Sequence, residues 1–181
     1  MSSANDTQLP LSLKAVFESQ HDLDTVFLKL MQVLCDEFNC DRCFLYLRNP
    51  QTQEGTITHC YSRDSRWKDM TSPDWASEGN VAELDPLFAT ALQTIDPVYV
   101  DDIETAGPDV LNLEFEREGF GHRALIHAPI YYDDQMFGIL EPCVFEQPHH
   151  WTERDRQITA FVQAQLSSKV VTYLKQTNRI S

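Results

Sequence analysis

Two adjacent apolar segments constrain the fold of this chain more than any other feature. Residues 123–132 read RALIHAPIYY and residues 136–145 read MFGILEPCVF, with Asp133-Asp134-Gln135 between them. Apolar runs separated by so short a polar turn read as antiparallel strands joined in a hairpin. Both runs are apolar at odd and even positions alike, so neither face of the hairpin can meet water. The sheet that contains it must be covered on both sides.

The covering elements are legible by period. Leu23, Val26, Phe27, Leu30, Met31, Leu34 and Phe38 recur at helical spacing behind Asp22, a good N-cap. Ile158, Phe161, Val162, Leu166, Val170, Tyr173 and Leu174 mark a long last helix, with Thr152 and Asp155 spaced as a capping box. A shorter first helix is expected around Leu11–Phe17. Between the long helices, residues 42–48 alternate as a strand apolar on both faces. Asn49-Pro50 opens its turn, and residues 56–62 return as the hairpin partner. Residues 63–83 show no period. Asp85-Pro86 opens a third helix, proline costing nothing at a first-turn position where no hydrogen bond is due. A short strand over residues 97–103 and a helical segment over 109–118 complete the series. The order predicts an α+β domain: a central antiparallel sheet, the terminal helices together on one face, and smaller helices and loops over a pocket on the other. We expect a mobile tail over residues 1–10, a single domain over 11–176 and a short C-terminal tail over 177–181.

At 181 residues the chain is the size of one domain. Asp and Glu number 28 against 14 Lys and Arg, a net charge of −14. So acidic a surface repels nucleic acid and anionic membranes, both of which need a basic patch. No apolar run approaches the roughly 18 residues that span a bilayer, and the N-terminus has no signal-peptide pattern. We therefore expect no membrane insertion and a cytoplasmic protein whose five cysteines are free. Twelve acids and no Lys or Arg lie between Lys68 and Arg117. They read either as a solvated face or as a docking face for a basic partner or cationic cofactor.

Few side chains point to chemistry. Cys35, Cys40 and Cys43 have plant-type iron–sulfur spacing, but Cys35 falls on a periodic helix and Cys43 in an apolar strand, so they read as core cysteines. His149 and His150 read as loop histidines. No metal site is expected. His127, inside an apolar strand, is either a satisfied core histidine or a donor to a ligand carboxylate or propionate, and His122 could act likewise from the rim. Glu141-Pro142 interrupts the last strand. Proline cannot donate to a ladder, which suggests an edge or bulge. Glu141 would be costly buried alone, so either the strand bends outward or Glu141 meets a cation such as Arg123. Trp67 and Trp75 either lid a pocket or plug a core edge. No nucleophile elbow, phosphate loop or zinc motif is present in the sequence.

Three segments together resemble the GAF domain family: FNCDRCFLYLRNP at 38–50, RALIHAPIYYDDQMFGIL at 123–140 and QPHHWTERDRQI at 147–158. The last is similar in style to cyanobacterial and phytochrome-related members. The resemblance implies a sensory module that binds a small molecule, or that binds none and mediates dimers. The position that would hold a bilin-attachment Cys-His pair falls on Asn112-Leu113, and a second family histidine falls on Cys143. Covalent bilin attachment is therefore not expected, while non-covalent tetrapyrrole binding stays open. The expectation is a standalone regulatory or adaptor module, not an enzyme, acting through a protein partner or as a homodimer. The alternative is a small-molecule sensor with His127, Glu141, Cys143 and Trp75 lining its pocket. A thiol-dependent enzyme of this fold is the third reading.

Overall fold

The computed structural model describes residues 9–181, so most of the expected tail over 1–10 lies outside the described residues. Six helices and six strands follow in the order α1 (Leu11–Glu18), α2 (Leu23–Phe38), β1 (Arg42–Asn49), β2 (Glu54–Ser62), β3 (Ala76–Ser77), α3 (Val81–Leu84), α4 (Pro86–Ala91), β4 (Val98–Val100), α5 (Leu113–Gly119), β5 (Ala124–Tyr132), β6 (Gln135–Val144) and α6 (Glu153–Gln176). The strands form one sheet in the order β3-β2-β1-β6-β5-β4, every neighbouring pair antiparallel.

Alternation in the strands sorts the core into two layers. Leu45, Leu47, Ile126, Ala128, Leu140 and Val144 point to α2 and α6, where they meet Phe27, Leu30, Leu34, Val162, Leu166 and Val170. Leu125, Cys143 and Phe145 point the other way, to Leu87, Ile103 and Leu111. This is the expected α+β arrangement, with α2 and α6 on one face and the short helices on the other.

Local chemistry sets the element ends. Asp22 accepts the Thr25 N–H at 3.0 Å, and Asn39 stops α2 in the left-handed conformation at φ 50°. The β5–β6 turn is two residues long, Asp133 and Asp134, with φ of 46° and 60°. Positive φ at both suits a hairpin turn whose twist matches its strands. Gly138 is glycine because β1 passes close: a Cβ there would sit 2.5 Å from the Tyr46 carbonyl oxygen. Thr152 and Asp155 form the reciprocal capping box of α6. Asp41 accepts the Phe145 N–H at 2.8 Å, tying the entry of β1 to the end of β6.

Several expectations are corrected. The segment over 109–118 is helical only from Leu113, because Asn112 caps there, its side chain accepting the Phe115 N–H at 3.2 Å. The strand over 97–103 shortens to Val98–Val100, since Asp102 turns the chain by accepting the Glu104 N–H at 3.0 Å. Pro142 lies in the middle of the sheet, not at an edge or bulge. It pairs with Cys43 of β1, while the β5–β6 pairing lapses between Leu125↔Cys143 and Ala128↔Leu140, where proline has no N–H to give. In the C-terminal tail, Asn49 Nδ2 donates to the Arg179 carbonyl at 2.7 Å, and Arg179 N–H to that of Leu174 at 2.8 Å.

Two side chains of α6, Gln163 and Ser167, tie it to β5 and to the segment after α4. Gln163 Nε2 donates to the carbonyls of Pro129 and Ile95, at 2.8 and 2.9 Å. Ser167 donates to the Tyr131 carbonyl, while the Tyr131 hydroxyl donates to the Ala91 carbonyl at 2.8 Å.

Candidate functional site

The short-helix face holds a cavity of about 350 Å³. Its floor is the sheet, with Phe44, Tyr46, His127, Ile139 and Glu141; Phe88 of α4 and Phe115 and Phe120 around α5 form its walls. The strand period explains the floor, because every second residue of β1, β5 and β6 faces this side. Phe44 and Phe120 stack with centroids 5.9 Å apart, and Phe120 stacks on His122 at 5.4 Å.

Beneath the aromatic lining lies a buried network of charge. His127 Nδ1–H donates to Glu141 Oε2 at 2.8 Å, and His122 Nε2–H donates to Glu116 Oε2 at 2.6 Å. His122 Nδ1 lies 3.7 Å from Glu141 Oε1. Among the described residues, His127 Nε2 has no hydrogen-bond partner, although His127 is only 6 % exposed. Burial alone would lower both imidazole pKa values. The hydrogen bond and charge of Glu141 outweigh it at His127, whose pKa is raised. At His122, the Cys143 sulfur and the Glu116 and Glu141 carboxylates outweigh it, and the pKa reaches about 10. Burial pushes Glu141 up, but His127, His122 and Arg42 pull it further down. Both shifts, His127 up and Glu141 down, favour the charged form of the His127–Glu141 pair. Asp85, also lining the cavity, is raised to about 6 by burial and by the Glu116 charge.

The sequence-selected residues divide. His127 and Glu141 meet in the cavity, but the cation that Glu141 finds is histidine; Arg123 instead pairs with Asp102 at 2.6 Å. Cys143 is fully buried in the apolar cluster beside Leu125 and Phe145 and does not line the cavity. Trp75 packs against the helix-side core under the Arg179 guanidinium, 4.8 Å away, because β3 turns it from the cavity. Trp67 stacks on Phe145 at 4.1 Å, plugging a core edge. Cys35 and Cys40 touch at 3.6 Å within the core, and His150 bonds Asp101 at 2.7 Å on the surface. Among the described residues no three His, Cys, Asp or Glu side chains are grouped to hold a metal, and no helix is long and apolar enough to cross a membrane.

Sequence reasoning missed Asp85, Glu116 and Glu78. All three belong to the acidic stretch read as one face, yet Asp85 and Glu116 are buried. Glu78 lines the cavity and is held by Arg48 Nε and Nη2 at 2.6 and 2.7 Å and by the Tyr46 hydroxyl at 2.8 Å. Position relative to the small helices, which period alone does not reveal, separates these acids from their solvated neighbours. A second depression, about 620 Å³, lies by the strand turns and the C-terminus of α6, away from the buried charges.

No curated protein matches this sequence. Solved structures similar to it include GAF3 of Slr1393 from Synechocystis sp. PCC6803 in its photoproduct state, 21 % identical, with 88 % of this chain and 100 % of that one covered at TM-score 0.67. The GAF domain of an Acinetobacter phosphoenolpyruvate-protein phosphotransferase is 16 % identical, with 93 % and 96 % covered at TM-score 0.67. A phycocyanobilin-bound GAF domain from a cyanobacterial phytochrome is 14 % identical, with 93 % and 98 % covered at TM-score 0.69. At these identities the likeness is one of fold. The GAF domain family model matches residues 22–170, and with the sheet, flanking helices and covered cavity in place, the chain belongs to the GAF domain family.

Proposed function

We propose that this GAF domain is a sensory module that takes a small, largely apolar molecule into the cavity over β1, β5 and β6. The observation that carries the reading is the unpartnered Nε2 of His127, buried at the floor of an apolar-walled cavity and held in place from behind by Glu141. A buried polar atom without a partner is costly in a finished core, and a ligand atom would satisfy it. The volume, about 350 Å³, is at the low end of the roughly 300–1,000 Å³ typical of small-molecule pockets. It favours a compact ligand over a non-covalent tetrapyrrole. Native mass spectrometry tests the reading: protein isolated gently from its own cells should carry extra mass that disappears on denaturation and is absent from His127→Ala. A bare chain that also shows no thermal stabilisation by any compact aromatic compound would refute it.

The second reading, a partner-binding or homodimeric module, draws on Leu11 and Leu28, large apolar side chains left 73 % and 46 % exposed on α1 and α2. A homodimer through the exposed side of α2 should sediment as a dimer and dissociate in Leu28→Asp.

A further inference from the structure

The cavity's polar groups narrow the chemistry of what it takes. They present one donor, on His127, and two acceptors, Asp85 and Glu141 Oε1, the latter 3.7 Å from His122 Nδ1, with no surplus of positive charge. The donor is His127 Nε2, whose ring is locked because Nδ1–H is committed to Glu141. One acceptor is Asp85. Its Oδ1 takes the Leu87 N–H at 3.0 Å as the cap of α4, and no other hydrogen bond to its carboxylate is present among the described residues. Asp85 and His127 line the same cavity and feel each other's charge.

Charge decides between ligand classes. Three carboxylates line the cavity, Glu78, Asp85 and Glu141, against a single cationic side chain, His127. Glu141 already neutralises His127, and Arg48 neutralises Glu78 from behind. An anionic ligand would arrive beside Asp85 with no free cation to meet it, and desolvating it there would go uncompensated. A ligand offering only an acceptor would leave the Asp85 carboxylate with the Leu87 N–H as its one donor among the described residues. The expectation from sequence that His127 would receive a carboxylate or propionate therefore fits the surrounding charges poorly.

We infer that the cavity selects a planar, uncharged cyclic amide, whose carbonyl accepts from His127 Nε2 and whose N–H donates to Asp85, with its rings among Phe44, Phe88, Phe115 and Phe120. This inference rests on the sensory reading above. The aromatic walls suit a flat ring system, since stacked and edge-on ring contacts add to area burial. The volume, about 350 Å³, equals roughly a dozen waters at about 30 Å³ each, enough for a fused two-ring molecule.

Calorimetric titration of the purified protein with four two-ring probes separates the possibilities. The probes are 2-quinolone, its N-methyl derivative, 2-naphthoate and naphthalene. The lactam should bind at least about tenfold more tightly than the N-methyl compound, which has lost the donor, and than the naphthoate anion. Asp85→Ser, which keeps a short capping oxygen for the Leu87 N–H, should abolish the penalty for N-methylation. His127→Gln should weaken the lactam while leaving naphthalene unchanged. The N-methyl comparison needs no variant, so a misfolded mutant cannot decide the matter. Equal binding of the lactam and its N-methyl derivative, or tighter binding of naphthoate, overturns the inference and leaves the sensory reading standing. No binding of any probe, naphthalene included, removes both.

Discussion

His127 and Glu141 face each other across β5 and β6 at the break that Pro142 leaves in the ladder between those strands, and their side chains join at 2.8 Å where the backbone does not. An ion pair thus spans the gap, in the floor of the cavity. Removing one member of a buried pair leaves the other charge uncompensated, a loss of about 3–5 kcal/mol. Glu141→Gln should lower the unfolding free energy by that order, seen as a lower urea midpoint, and the His127 ring, titrated by NMR, should lose its raised pKa. An unchanged midpoint would show that the pair is not buried as described.

His122 gives the fold an alkaline limit. Its pKa is raised from 6.5 to about 10 by Cys143, Glu116 and Glu141 despite burial. A group raised in the folded state binds its proton more tightly there, so its stabilisation is full below about pH 6.5 and is lost as pH climbs through about 10. Unfolding free energy should fall across that window more steeply in the wild type than in His122→Gln. Parallel curves would refute it. Glu141, held low, acts in the opposite sense, and its contribution is lost on acidification.

Gly138 should not tolerate a side chain. An alanine Cβ would approach the Tyr46 carbonyl at 2.5 Å and the Leu47 side chain at 2.9 Å in the middle of the sheet. Overpacking of this kind costs about 1–3 kcal/mol. Gly138→Ala should unfold at correspondingly lower urea, whereas Gly119→Ala, where nothing lies within 4 Å, should not pass that threshold.

The cysteines should be slow. Four are buried, and Cys60 is intermediate. Burial pushes the Cys40, Cys43 and Cys60 thiols above their ordinary range, which starves them of thiolate. Disulfide-exchange labelling of the native protein at neutral pH should proceed first at Cys60 and far more slowly than in urea. A fast-labelling cysteine would support the thiol-enzyme reading.

What could be read in the sequence follows from range. The α2 and α6 stripes, the Asp22 and Thr152 caps and the β5–β6 hairpin are local patterns, each decided within a few turns of its own chain. Pairings that join distant segments are not. From sequence Glu141 is either turned outward or paired with a cation such as Arg123, and only the β5–β6 register places His127 opposite it. Trp75 and Cys143 had the right residue types for a pocket wall, but β3 and the Cys143 cluster aim them elsewhere. Asp85 was legible as a helix opener and illegible as a cavity group, because the same carboxylate does both.

The bridges from α6 have a mechanical consequence. Gln163 grips both the sheet, at Pro129, and the connection after α4, at Ile95, while Tyr131 joins Ala91 of α4 to Ser167 of α6. The sheet therefore does not insulate its two faces from each other. A displacement of α4, which carries Phe88 and the Asp85 cap into the cavity wall, loads two points on α6, one helical turn apart. Either those bonds break or the long helix is tugged off its bed, so a ligand that displaced α4 would be felt on the opposite surface of the molecule.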